Sequence, residues 1–214
     1  MMFRKSIGKV LRVLGIRKVA MQRVVKELYK RDVDLNSLNA IELFGRDGGW
    51  STDFISKELK SIDLVEISFE YESSLREKYP NSEIYIMDTY EFITTAPKKY
   101  DLILSDNPAS RHGNYYQHFS LFPEVFNLFN RETILILNII PDYNNIHYNL
   151  NPEEEYSALK GFYNTDSIII SYEEMIKTYK NIAKKSGFSI VNHFAVSRGT
   201  GVEYLCLFFE KNDK

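Results

Sequence analysis

One cysteine stands in the 214 residues, Cys206, inside the apolar stretch YLCLFF. That count excludes a disulfide framework and a cysteine zinc site, so a reducing cytoplasm is the expected home. No apolar run approaches the roughly 20 residues that a bilayer-spanning helix needs. The N-terminus is basic but lacks the long apolar core and cleavage site of a signal peptide, so no secretory leader is expected. Repeats and low-complexity tracts are absent, and no linker suggests a second domain. Glycine is sparse at ten residues, yet three of them, Gly45, Gly48 and Gly49, fall within one five-residue turn.

What is present is ordinary in bulk and uneven in detail. Hydrophobic residues make up 44% and charged residues 26%, the balance of a soluble globular protein. The length suits one α/β domain with a sizeable core. The net charge of −2 hides a strong asymmetry. Residues 1–31 carry ten Lys or Arg against one acid, Glu27, and so are +9, leaving −11 for the rest. Val10, Leu11, Leu14, Val19, Val24, Val25 and Leu28 recur at helical spacing within that segment. It therefore reads either as a helix drawn to an anionic surface, lipid headgroups or nucleic acid, or as a helix packed on the domain with a solvated basic face. Fifteen Tyr and fourteen Phe are many for this length, and a good share lie in 115–163. They suit either an aromatic-lined surface or simple core filling.

Apolar periodicity gives a regular alternation. Strands are expected at 39–44, 62–67, 83–87, 100–105 and 132–140. Helical stretches fall between them, including STDFISKELK, EYESSLREKY and a short helix opened by Asp88 and Glu91 in capping-box spacing. SYEEMIKTYKNIAKKSGF is a clear helix, with Ser171 and Glu174 as a capping box and Gly187 at its stop. Two further strands, SIVNHFAV and VEYLCLFFE, flank the hairpin signal SRGTG. The fold class is thus α/β: a Rossmann-like, doubly wound, seven-stranded, mostly parallel sheet ending in an antiparallel hairpin strand. Residues 1–35 read as a basic helical extension and 36–214 as the domain. Within it, 141–170 is an insertion rich in Asn, Tyr and Pro, long enough to be a candidate substrate lid.

Four acids close successive strands: Glu42, Glu66, Asp88 and Asp106, spaced 24, 22 and 18 residues apart. Carboxyl ends of parallel strands converge on one crevice at the switch point of such a sheet, so these carboxylates are expected to meet there. The turn IELFGRDGG follows the first of them. A dinucleotide fold would show G-x-G-x-x-G with a pyrophosphate on a helix N-terminus. Here the loop reads G-x-x-G-G with Asp47 inside it, and an acid would repel pyrophosphate while tolerating an ammonium group.

These residues resemble the class I S-adenosylmethionine-dependent methyltransferases. The resemblance covers roughly 36–140 by motif and 171–210 by element order. It implies S-adenosyl-L-methionine as cofactor, with Glu42, Gly45, Asp47, Gly48 and Gly49 approaching its methionine part. Glu66 would accept the ribose hydroxyls, Asp88 would face the adenine amine and Asp106 would lie beside the sulfonium. Ribose diols and amines are donors and a sulfonium is cationic, which suits carboxylates. Phe44 and Arg46 depart from the small residues usual in that loop, and Arg46 either pairs with the cofactor carboxylate or obstructs the site.

The acceptor is less sharply drawn. SDNPAS matches the amino-methyltransferase signature only in part, with Asn107 and Ala109 at two of its positions. GGWS, DLILSDNPA and SRGTGVEYL are similar to stretches of RNA ribose 2′-O-methyltransferases, whose Lys-Asp-Lys-Glu tetrad Lys26, Asp106 and Glu203 would partly supply. Asn138 stands where the second lysine belongs, and an amide cannot do that work. The acidic body also lacks a nucleic-acid footprint. The reading preferred is methyl transfer to a hydroxyl of a small molecule or glycan, with RNA the alternative and a non-catalytic binding role on the same fold another. Asp106 and His112 are the catalytic candidates, His112 because an imidazole's ordinary pKa of about 6.5 suits a general base. His118 is a further candidate on a helix, while His147 lies in the insertion and His193 reads as structural. Tyr115, Tyr116, Tyr143 and Tyr148 are candidates to line an acceptor site. No metal-ligating cluster stands out. The basic 1–31 segment makes peripheral contact with the inner membrane face an expectation.

Overall fold

Short runs of aliphatic and β-branched residues, closed by acids or serines, pair side by side as strands. A computed structural model describes residues 16–49, 51–106, 111–112, 115–116, 118–145, 152–199 and 201–213. In chain order the helices are α1 (Ile16–Tyr29), α2 (Thr52–Ile55), α3 (Glu72–Lys78), α4 (Thr89–Thr95), α5 (Leu121–Glu124), α6 (Pro152–Tyr163) and α7 (Tyr172–Lys185). The strands are β1 (Asn39–Glu42), β2 (Ser61–Glu66), β3 (Ile84–Ile86), β4 (Tyr100–Ser105), β5 (Arg111–His112), β6 (Tyr115–Tyr116), β7 (Phe129–Ile139), β8 (Phe188–Gly199) and β9 (Val202–Lys211). Seven of the strands form one sheet ordered β3-β2-β1-β4-β7-β9-β8, while β5 and β6 make a separate two-stranded hairpin. Pairings from β3 through β7 are parallel, and β9 runs antiparallel to both neighbours. The expected sheet, with its antiparallel C-terminal hairpin, is the one found.

The central strands read as continuous apolar runs because both faces of the sheet are covered. One face carries Ile41, Ile103, Leu135 and Leu205 against α4, α5, α6 and α7. The other carries Ala40, Leu102, Ile136 and Cys206 against α1 and α2. Aromatic residues fill the first core: Phe119, Phe122, Phe126, Phe129, Phe162 and Tyr163 are all in it or packed against it. Core filling is thus the role of most of the aromatic-rich stretch.

Two expectations are corrected. The helix expected over STDFISKELK spans only Thr52–Ile55, since the chain then turns to place Leu59 beside Ile55 in the α1-side core. The described part of 141–170 is not a free lid. Pro141 and Tyr143 exchange backbone bonds with Ile170 and Ile168, and α6 buries Leu159 and Tyr163 in the main core. The described part of 1–35 is packed on the domain, the second of the two readings of the basic segment. Along α1, Ala20, Met21, Val24, Val25 and Leu28 are buried, and the Arg23 guanidinium donates to the Ser197 carbonyl at 2.6 Å. Arg31 pairs with Glu27 at 2.7 Å and lies over the Phe194 ring, so part of the basic charge is spent on packing. Among the described residues no helix is long and apolar enough to cross a membrane.

His118 lies in the turn before α5, not on a helix, and is buried. Its Nε2 is 2.6 Å from the Tyr179 hydroxyl, itself 2.8 Å from that of Tyr163, which ties α5, α6 and α7 together. Burial drives its pKa down to about 3, only partly offset by the Asn138 backbone. The unfolded chain takes up this proton near the ordinary 6.5, so stability is full above that pH. It is then lost as pH falls toward 3, by about 1.4 kcal/mol per unit. Denaturation at pH 7 and pH 4.5 should therefore differ less in His118→Gln than in the wild type.

Candidate functional site

The crevice opens where the winding of the sheet reverses, between the carboxyl ends of β1 and β4, the position at which open α/β sheets bind ligands. Leu43 extends the pairing past β1 by donating to the Leu104 carbonyl at 2.9 Å. Glu42 ends β1 almost fully buried and accepts a hydrogen bond from the Thr52 hydroxyl at the start of α2. Burial pushes the Glu42 carboxyl well above the usual range; Thr52 and Lys78 oppose the shift, and Asp106 and Asp47 add to it. The neutral acid is favoured, so four strand-end carboxyls do not place four full charges in the crevice.

The glycine turn is fastened at three points. The Gly45 N–H donates to the Val65 carbonyl at 2.8 Å, and a β-carbon there would stand 3.3 Å from the Leu64 side chain. Arg46 adopts a φ of 45° and its N–H reaches Glu66 Oε2 at 2.6 Å. Gly48, at φ 58°, turns its carbonyl to the Lys78 ammonium and the Tyr79 hydroxyl, both at 2.5 Å. Asp47 is partly used within the turn, accepting from the Gly49 N–H at 3.1 Å. Lys78 also faces Asp53 at 3.5 Å. The end of α3 therefore holds the turn from outside the crevice. Nothing in the sequence pattern singled out Lys78 or Tyr79, whose partner lies about 30 residues upstream.

Glu66 is buried at the end of β2, its second oxygen taking the Ser68 N–H at 2.7 Å. Beside it Ile67 and Phe69 are 67% and 76% exposed, an apolar surface next to a polar one. Asp88 caps α4 by accepting from the N–H groups of Tyr90 and Glu91, both through Oδ1.

Asp106 sits differently from the other three. Its carboxylate is a hub between β4, β7, β8 and β9. Oδ2 accepts from the Ser51 hydroxyl and, at 2.8 Å, from the Tyr204 hydroxyl. Oδ1 takes the Asn138 amide at 2.9 Å and the Arg198 guanidinium at 2.7 Å. Both side chains of the ion pair are only 6% exposed, and Arg198 also lies over the Tyr204 ring at 4.5 Å. Arg198, Tyr204 and Ser51 were not foreseen. Tyr204 and Glu203 are neighbours on β9 and so point to opposite faces. With Tyr204 on Asp106, Glu203 is turned away, Lys26 is exposed on α1 and Asn138 holds the third place. The ribose-methylating tetrad is not assembled.

The remaining candidates are scattered. His112 and Tyr115 pair in the β5–β6 hairpin, as do Arg111 and Tyr116, but their side chains lie outside the described residues, as do Tyr148 and His147. Tyr143 is 4% exposed within the main core, its ring steeply inclined to that of Tyr156, so it does not line an open acceptor surface. His193 is half-buried on β8 with Nδ1 at 3.0 Å from the Tyr172 hydroxyl.

No family model matches the chain, and no curated protein sequence does. Solved structures do match. TYW2 of M. jannaschii, in complex with AdoMet, shares 13% identity at a TM-score of 0.54 over 87% of this chain and 75% of its own. The magnesium protoporphyrin IX methyltransferase ChlM of Synechocystis PCC 6803, with bound SAH, shares 14% at 0.56 over 93% and 84%. The fold is that of the class I methyltransferases. At such identities the likeness extends to the sheet and its crevice, and the chemistry has to be argued from the residues present.

Proposed function

We propose that the chain transfers a methyl group from S-adenosylmethionine to a hydroxyl of a small molecule or glycan. The observation that carries the cofactor half is Glu66. A carboxylate offers about four lone-pair sites. The Arg46 and Ser68 N–H groups take one on each oxygen, which leaves one on each for the two hydroxyls of a ribose. Ile67 and Phe69 supply apolar surface for the attached base, and Asp88 keeps an oxygen for its amine. A β-carbon at Gly45 would be crowded by Leu64, and the positive φ of Gly48 suits the residue with no side chain. The residues fit the group.

When bound, the cofactor supplies an activated methyl group: the acceptor oxygen takes it, the hydroxyl proton passes to a base, and S-adenosylhomocysteine remains. Asp106 is poorly suited to be that base, because a guanidinium and three hydrogen-bond donors already hold its carboxylate. In this reading Asp106 and Arg198 shape the floor of the crevice, and proton removal falls to His112 on the hairpin that follows β4. Tyr115 and Tyr116 share that hairpin and are assigned to acceptor contact. The basic 1–31 segment is assigned a looser role, holding the protein near anionic headgroups. The unassembled ribose tetrad is what favours a small molecule or glycan over RNA.

Glu66→Gln keeps the size of the side chain and removes its charge. Its affinity for S-adenosylhomocysteine should fall by about tenfold to a hundredfold, the worth of charge-assisted bonds. Unchanged affinity in a calorimetric titration would mean that the ribose does not lie on Glu66.

A further inference from the structure

Among the described residues three non-glycines take a positive φ: Asp32 at 58°, Arg46 at 45° and Asn164 at 52°. Aspartate and asparagine are the types that tolerate this region, because a short polar side chain can bond locally. Arginine has no such compensation, and the left-handed region costs an L-residue about 1–2 kcal/mol. The backbone has a use for the conformation, since it delivers the Arg46 N–H to Glu66. A glycine would deliver the same N–H without strain. What glycine lacks is the guanidinium.

That guanidinium is exposed on the turn and forms no ion pair or hydrogen bond with a described residue. Acids lie about the turn: Asp47 within it, Asp53 facing Lys78 and Glu66 on the Arg46 N–H. The neighbouring cations are committed elsewhere, Lys78 to the Gly48 carbonyl and Asp53, Arg198 to Asp106. A strained residue that keeps its charge within an acidic rim is the pattern of a ligand contact.

We infer that Arg46 anchors the carboxylate of the cofactor's methionine portion. The inference rests on the S-adenosylmethionine reading. Of the groups which that cofactor presents, the ribose hydroxyls, adenine amine, ammonium and sulfonium all suit carboxylates. Its carboxylate is the one anion, and an acidic crevice would repel it. A guanidinium on the turn offers two parallel N–H donors matched to a carboxylate, and reverses the local sign where reversal is needed.

Two ligands separate this role from a structural one. S-adenosylhomocysteine carries the amino-acid end, and methylthioadenosine lacks it. In Arg46→Gly, affinity for S-adenosylhomocysteine should fall about tenfold or more, while that for methylthioadenosine stays within about twofold. The unfolding midpoint should hold or rise as strain is released. Arg46→Lys should recover part of the lost affinity, as a cation without the fork. An equal loss for both ligands, or no loss for S-adenosylhomocysteine, overturns the assignment. Tighter binding of either ligand by Arg46→Gly overturns it as well and makes the side chain an obstruction. If the wild type binds methylthioadenosine but not S-adenosylhomocysteine, the ribose site stands and the Arg46 anchor fails. If it binds neither, the cofactor reading fails and the anchor with it.

Discussion

Gly48→Ala should lose most cofactor affinity and lower the unfolding midpoint by about 10 °C, the shift that about 3 kcal/mol produces in a chain of this size. Two costs combine. The backbone at Gly48 has a φ of 58°, where a β-carbon costs about 1–2 kcal/mol. That β-carbon would also stand 2.4 Å from Tyr79 Cε2, inside any real contact distance, and a tight 3.0 Å from Leu75 Cδ2. The Tyr79 ring must swing out, and its 2.5 Å bond to the Gly48 carbonyl goes with it. Overpacking of this kind adds about 1–3 kcal/mol. Paired with Tyr79→Leu, Gly48→Ala should regain part of the midpoint, because room is made for the methyl group. It should not regain cofactor affinity, because the Gly48 carbonyl is then held by Lys78 alone. Equal midpoints for Gly48→Ala and the wild type in a thermal melt would show that the turn is not locked as described.

Arg198→Met should destabilise the fold by about 3–5 kcal/mol, the cost of leaving one partner of a buried ion pair behind. Asp106 would keep Ser51, Tyr204 and Asn138, yet its charge would face a 6% exposed surrounding with no cation. Arg198→Met combined with Asp106→Asn removes both charges and should recover most of the loss, since a neutral amide of the same shape needs no counter-charge. Arg198→Lys should recover less than half, because an ammonium cannot both pair with Asp106 and lie flat on Tyr204. Chemical denaturation of the wild type, of Arg198→Met and Asp106→Asn singly, and of the double variant measures the coupling directly. Additive losses in the double variant would mean that Asp106 and Arg198 are not a pair.

The succession of strands and helices and the four strand-end acids were legible in the sequence because both follow from local rhythm. Each β-α unit spends about twenty residues returning to the same edge of the sheet, so Glu42, Glu66, Asp88 and Asp106 announce themselves by spacing. The partners of Asp106 do not. Arg198 lies 92 residues away, and its meeting with Asp106 depends on β8 and β9 folding back beside β7. The stretch SRGTGVEYL did draw attention, but to Glu203. The parity of β9 decides between Glu203 and its neighbour Tyr204, and parity is fixed by the register with β7, which a single sequence does not display. His118 and Tyr143 looked like site residues because polar aromatic groups in an Asn- and Tyr-rich stretch suggest a surface. They belong to the core, where hydroxyl and imidazole groups satisfy one another, as in the Tyr163–Tyr179–His118 chain. The α1 helix shows the converse: its basic residues drew the eye, while its buried apolar face is what fixes its place.

The acidic crevice also bears on how a reaction there would run. Glu42 is driven toward its neutral form by burial and Asp106 is neutralised by Arg198, so the remaining negative charge of the proposed site lies with Asp47 on the turn and with Glu66 and Asp88 toward the end assigned to the nucleoside.

Calorimetric titration of the intact chain with S-adenosylmethionine, and with S-adenosylhomocysteine as its stable product, tests the cofactor site most directly. One site per chain with a dissociation constant in the micromolar range is expected, weakened by Glu66→Gln. No heat and no protection against thermal unfolding at high micromolar ligand would contradict it, leaving the class I fold as a scaffold for some other role.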